Sequence, residues 1–107
     1  MTVVRSILAA LVLTVAMQQA GGAPDLKHGE ALLARHCGSC HAFGRSDTSA
    51  DKDAPALRTL GARYPIESLE EALGEGFMSG HPDMPEFKFD ADDVGAIIAY
   101  LKSIQQR

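Results

Sequence analysis

Apolar and polar positions along the chain fall into stretches with different spacing. Toward the C-terminus, Val94, Ile97, Ile98, Leu101 and Ile104 recur at steps of three and four, which is one face of an α-helix. Asp90 suits its N-cap, and Asp93 stands where a carboxylate can return a hydrogen bond to that cap. Asp92 and Asp93 also favour the positive end of the helix dipole, and the pattern runs to about Gln105. Residues 25–36 predict a second helix capped by Asp25, with Leu26, Leu33 and the Ala31 and Ala34 positions near one side. Pro65 through Leu73 predicts a third, with proline in its first turn, Gly74 and Gly76 at its end, and Ile66, Leu69, Ala72 and Leu73 as its apolar face. Between them, Ala42 to Pro55 is polar and predicts a surface loop. No segment alternates with period two, so the expected fold class is all-α.

One apolar run has no helical stripe. Arg5 is the only charge before Ile7–Met17, and Ala20, Gly21, Gly22 and Ala23 follow. A basic start, an apolar stretch and a small-residue end predict a secretory signal peptide over residues 1–22, cleaved to leave one domain of residues 23–107. The run is short against the ~20 residues of a membrane-spanning helix, so no stable membrane insertion is expected after cleavage. The chain carries 10 Lys+Arg against 14 Asp+Glu, and Arg5 leaves with the leader. No basic patch with interleaved aromatics is present, which argues against a nucleic-acid partner. So small a domain needs a staple, either disulfide, metal or cofactor.

Cys37-Gly38-Ser39-Cys40-His41 supplies it. The pentapeptide reads C-x-x-C-H, the attachment signal for a c-type haem. Two intervening residues place both sulfurs on one side of a turn, where each can add across a haem vinyl group. His41 then faces the iron. Gly38 and Ser39 are small enough to let the backbone lie close to the ring. Haem of this kind is attached outside the cytoplasm, which agrees with the leader and predicts a periplasmic protein. A zinc site wants four ligands and would need His36 or His81 to complete the set. A thioredoxin-like dithiol needs a βαβ setting, and a plain disulfide would leave His41 unexplained.

Haem iron has a second axial position. Met78, His81 and Met84 are the candidates in the segment from Phe77 to Phe87, and Met84 is preferred. Pro82 and Pro85 stiffen its loop and reduce the entropy lost in holding a ligand. The chain after His41 is also long enough to wrap one haem edge and reach the opposite face. A thioether is soft and neutral, so His/Met ligation raises the reduction potential. With both positions filled the iron keeps no vacant site, which favours electron transfer over bond-making chemistry. His28 and His36 are expected on the surface.

Residues 23–107 resemble a class I cytochrome c over nearly their whole length. Gly29 and Leu33 precede Cys37 where that family has a helix-contact glycine and a bulky apolar residue. Ile98-Ala99-Tyr100-Leu101-Lys102 is similar to the family's C-terminal helix, whose aromatic residue crosses the first helix at that glycine. The resemblance therefore implies N- and C-terminal helices crossing around one covalent haem. Ala54-Pro55-Ala56-Leu57 is similar to the segment after the haem-binding loop, which implies that the Pro55 carbonyl accepts a hydrogen bond from the second nitrogen of His41. Met84-Pro85-Glu86-Phe87 resembles the ligand loop. The chain has no Trp, so contacts to the haem propionates would fall to Arg58, Arg63 or Tyr64, of which Arg63 and Tyr64 are preferred.

These readings converge on a soluble periplasmic carrier of single electrons and not on an enzyme: no catalytic acid, base or nucleophile stands out. Its expected partners are redox proteins, a dehydrogenase or membrane electron-transport complex on one side and a terminal oxidase or reductase on the other. A monomer is expected. The competing readings are a haem-based ligand sensor in which Met84 detaches, and an electron-accepting subunit that stays bound to one dehydrogenase.

Overall fold

A computed structural model describes residues 25–76 and 82–106. The proposed leader and two of the three ligand candidates, Met78 and His81, lie outside the described residues. Within them all the regular structure is helical: α1 (Leu26–His36), a 3-10 helix over Leu57–Ala62, a 3-10 turn over Ile66–Ser68, α2 (Leu69–Glu75) and α3 (Ala91–Ile104). No helix among the described residues is long and apolar enough to cross a membrane.

Both long helices start on the predicted caps. The Asp25 carboxylate accepts from the N–H groups of Lys27 and His28 at 3.0 and 3.2 Å, and that of Asp90 accepts from Asp93 at 2.8 Å. The reciprocal half of the α3 cap is not formed. Asp93 lies on the flank of α3 nearest α1, and its carboxylate turns to His28 Nε2 at 2.7 Å. The cap thus becomes a surface link between the first turns of the two helices.

The fold is organised by the crossing of α1 and α3. A Cβ built on Gly29 would collide with the Ala96 carbonyl oxygen and would lie 2.7 Å from the Ala96 carbonyl carbon and 2.9 Å from Tyr100 Cβ. The two backbones therefore touch there, as no residue larger than glycine would allow. This contact sets which side of α1 is inward. Gly29, Leu32 and Leu33 are its buried residues, while Leu26, Ala31 and Ala34 are exposed, contrary to the stripe expected from spacing alone. On α3 the predicted stripe is buried in full, joined by Ala96 and Tyr100 at the crossing. Leu57, Leu60 and Ile66 complete the core.

Tyr100 carries the crossing into the loop after the C-x-x-C-H motif. Its hydroxyl donates to the Phe43 carbonyl at 2.7 Å. Burial first, and then the negative charge of Glu30, hold this phenol above its ordinary range, so it stays a neutral donor at physiological pH. Tyr100→Phe should cost about 1–2 kcal/mol in urea denaturation, because the Phe43 carbonyl loses its partner. A pKa raised in the folded state gives stability that is present below the unfolded value near 10 and lost as pH rises through the folded one. The variant should therefore lose less stability than the parent above about pH 10.

The middle of the chain departs most from expectation. The segment from Pro65 begins as a 3-10 turn and becomes α-helical only at Leu69. It then passes through Gly74 and ends at Gly76, whose φ of 104° is a conformation that favours glycine. The 3-10 helix Leu57–Ala62 was not foreseen, since six residues with two buried leucines carry no legible helical period.

Candidate functional site

The helices enclose a cavity of about 810 Å³, within the range of cofactor sites. Its walls are the end of α1, residues 51–64, the inner side of α2, residues 82–87 and the middle of α3. Cys37, Cys40, His41, Pro55, Arg63, Tyr64 and Met84 all line it. Between them the surface is apolar, made by leucines from α1, the 3-10 helix, α2 and α3 together with Ile97.

The motif is wound onto the end of α1. Cys37 is the C-cap, and its N–H and that of Gly38 both donate to the Leu33 carbonyl, at 2.8 and 2.9 Å. The chain then makes one further turn, in which the N–H groups of Cys40 and His41 donate to the Cys37 carbonyl at 3.2 and 2.9 Å. That turn brings both thiols and the imidazole to the cavity. Gly38 serves this winding: a Cβ there would meet the Ala34 carbonyl oxygen at 2.6 Å and Phe43 Cε1 at 3.0 Å.

His41 has a fixed tautomer. Its Nδ1 lies 2.7 Å from the Pro55 carbonyl oxygen, which can only accept, so Nδ1 carries the proton and, in the neutral imidazole, Nε2 has the lone pair. The contact is held by neighbouring rungs, Leu57 N–H to Ala42 O at 2.9 Å and Asp51 N–H to Cys40 O at 3.1 Å. Both cysteines are free. Burial, and secondarily Cys40, push the Cys37 thiol up to about 11, so it keeps its proton at neutral pH.

Arg58 is engaged by the polar loop, and His36 departs from expectation. Arg58 does not line the cavity. Its Nη1 donates to the Asp47 carbonyl at 2.7 Å and approaches the Asp47 carboxylate at 3.4 Å. The same carboxylate caps Phe43 and Gly44, so Arg58 secures the polar loop. His36 is not a free surface group. It lines the cavity with its ring edge-on to Phe87 and Phe89, centroids 5.5 and 5.3 Å away. Its position on α1, facing aromatics spaced two apart after Met84, was the only signal available, and the turn before Phe87 hides it from sequence.

The donor set and the walls fit a haem c. Two thiols, one imidazole nitrogen with a free lone pair and one thioether share a large apolar cavity. Among the described residues no three His, Cys, Asp or Glu side chains converge as ligands of a single metal ion. That spread suits separate points of attachment along an extended ring.

The comparisons with known proteins agree. The family model described as cytochrome c oxidase, cbb3-type, subunit III matches residues 24–101. A cytochrome c-552 of Bradyrhizobium diazoefficiens is 33% identical over 96 residues, covering 89% of this chain and 90% of that protein. No solved structure matches at a significant level. With the crossed terminal helices and the C-x-x-C-H cavity, these matches establish that the chain belongs to the cytochrome c family, whose members carry covalently bound haem c and transfer electrons.

Proposed function

We propose that this chain is a periplasmic carrier of single electrons and holds one haem c, with Cys37 and Cys40 as its thioether anchors and His41 and Met84 as its axial ligands. The observation that supports this most directly is the tautomer of His41. Its Nδ1 proton is committed to the Pro55 carbonyl, which leaves Nε2 as the nitrogen available to iron. Met84 lines the same cavity from residues 82–87, the part of the chain that returns after α2. When bound, the haem iron supplies reversible one-electron exchange, and every other task falls to the chain.

Those tasks can be assigned. Cys37 and Cys40, which line the cavity, would anchor the haem through thioether bonds at its two vinyl groups. The leucines and Ile97 exclude water and keep the local dielectric low. Arg63 and Tyr64 line the cavity, and they would hold the two carboxylates of the haem. A soft thioether ligand such as Met84 would favour the reduced metal. With both axial positions occupied by protein, exchange of electrons is the natural activity, and the reading is of a carrier and not an enzyme. The leader-like N-terminus supports export, and the partners are a donor dehydrogenase or membrane complex and an acceptor oxidase or reductase. Such encounters are small and short-lived, which suits a monomer.

Absorption spectra of the exported protein, oxidised and then reduced, test the assignment. The expected result is a low-spin c-type spectrum with the weak far-red band of iron–methionine ligation in the oxidised form. A high-spin spectrum with carbon monoxide binding at neutral pH would instead identify a sensor with a detachable Met84. A colourless protein would refute the haem assignment altogether.

A further inference from the structure

Gln105 lies at the far end of α3 from the N-cap and outside the cavity lining, yet its side chain reaches the segment that orients His41. The backbone turns extended at this residue, so the helix ends there and the side chain folds back. Nε2 donates to the Leu101 carbonyl at 2.8 Å and to the Leu57 carbonyl at 2.9 Å, while Oε1 accepts from the Gly61 N–H at 2.7 Å. Next along the chain, the Gln106 N–H donates to the Arg58 carbonyl at 2.9 Å. The end of α3 is thus bound to Leu57, Arg58 and Gly61 of the 3-10 helix.

Leu57 is the connection. Its carbonyl takes the Gln105 amide, and its N–H donates to the Ala42 carbonyl at 2.9 Å. Ala42 directly follows His41, and Leu57 stands two residues after Pro55. The bonds from His41 to Pro55 and from Leu57 to Ala42 are therefore adjacent rungs between the same two segments. Thr59 Oγ1 donates to the Ala56 carbonyl at 2.6 Å and stiffens the residue between them. A shift of Leu57 along its own chain would move the Pro55 carbonyl with it.

We propose that Gln105 is a positioning residue for His41: by fixing Leu57 it holds the Pro55 carbonyl against Nδ1 and so sets the orientation and basicity of the imidazole. The proposal rests on the reading that His41 Nε2 is an axial ligand. The chemistry calls for an amide. Two carbonyls need donors and one N–H needs an acceptor, a combination that glutamate, methionine and lysine each lack in part. Position matters as well, because the amide must reach across from the last turn of α3.

Gln105→Met tests this in the haem-loaded protein, since it keeps the length and neutrality of the side chain and removes its polar atoms. Three quantities are compared with the parent: exchange of the His41 Nδ1 proton by NMR, the midpoint potential, and the global unfolding constant. Nδ1 exchange should accelerate by about tenfold beyond any rise in the unfolding constant. The potential should rise, because an imidazole with a weakened Nδ1 bond donates less electron density to iron. Gln105→Asn keeps the amide one methylene too short and should give a smaller change of the same sign; it carries the test if the methionine variant does not fold. Exchange that accelerates only in step with unfolding, at an unchanged potential, would reduce Gln105 to a helix cap and overturn the proposal. A parent protein that takes up no haem would overturn both this proposal and the functional reading beneath it, whereas a haem-loaded parent with an unmoved variant would overturn this one alone.

Discussion

Glycine to alanine should act in opposite directions at Gly29 and Gly95. In a helix interior the exchange normally stabilises by about 0.5–1 kcal/mol, because alanine loses less backbone entropy on folding. Gly95 is exposed on α3, and a Cβ there meets nothing within 4 Å, so Gly95→Ala should show that gain. At Gly29 the added Cβ collides with the Ala96 carbonyl of the facing helix. A carbonyl fixed in the hydrogen-bonded ladder of α3 has no rotamer through which to yield, so the helices must separate. Overpacking costs about 1–3 kcal/mol where side chains can adjust. With backbone on the receiving side, Gly29→Ala should lose at least about 3 kcal/mol, and at 4–8 °C per kcal/mol its melting temperature should fall by roughly 12–24 °C. Thermal unfolding of the two haem-loaded variants decides the matter. Stabilisation at both positions would mean that α1 and α3 do not cross at Gly29.

That crossing also marks how far the sequence could be read. The cap residues and the α3 stripe were legible because both depend on near neighbours: a carboxylate two or three residues from the N–H it accepts, and an apolar face with a regular period. The inward face of α1 was less so. Leu26, Ala31 and Ala34 follow a plausible spacing, but the burial of Gly29, Leu32 and Leu33 is dictated by α3, some 65 residues on from His28 to Asp93. The same holds for the Asp93 carboxylate, whose local partner at Asp90 lost to a histidine on another helix. In the site, the C-x-x-C-H motif is local and could be read directly, and the contact between His41 and Pro55 followed from family resemblance. His36, Arg58 and Gln105 could not be placed in advance. Each meets its partners across long separations in sequence, through a turn or a 3-10 helix with no period to betray it.

Replacing Met84 should have the largest effect on the redox properties of the protein, and two substitutions separate what the residue contributes. Met84→Ala removes the thioether and leaves the cavity wall otherwise intact. The far-red band should vanish, the oxidised spectrum should become high-spin, and the reduced protein should bind carbon monoxide. Met84→His offers an imidazole in place of sulfur from the same loop between Pro82 and Pro85. If its ring reaches iron, the spectrum should remain low-spin without the far-red band. On the proposed ligation the midpoint potential should fall in both variants, since each lacks the soft ligand that would favour the reduced metal. Axial ligation moves haem potentials over a span of about 0.8 V, so protein-film voltammetry has ample range to read the change. Stability should follow a different order. The alanine variant releases residues 82–87 from their tether, while packing of Phe87 and Phe89 against His36 keeps part of the loop on α1. Its unfolding free energy should therefore fall while its α1–α3 core persists, so that helical circular dichroism is retained as the spectrum turns high-spin. If the far-red band survives in the alanine variant, the sulfur on iron belongs to another methionine, and the part assigned to Met84 passes to Met78.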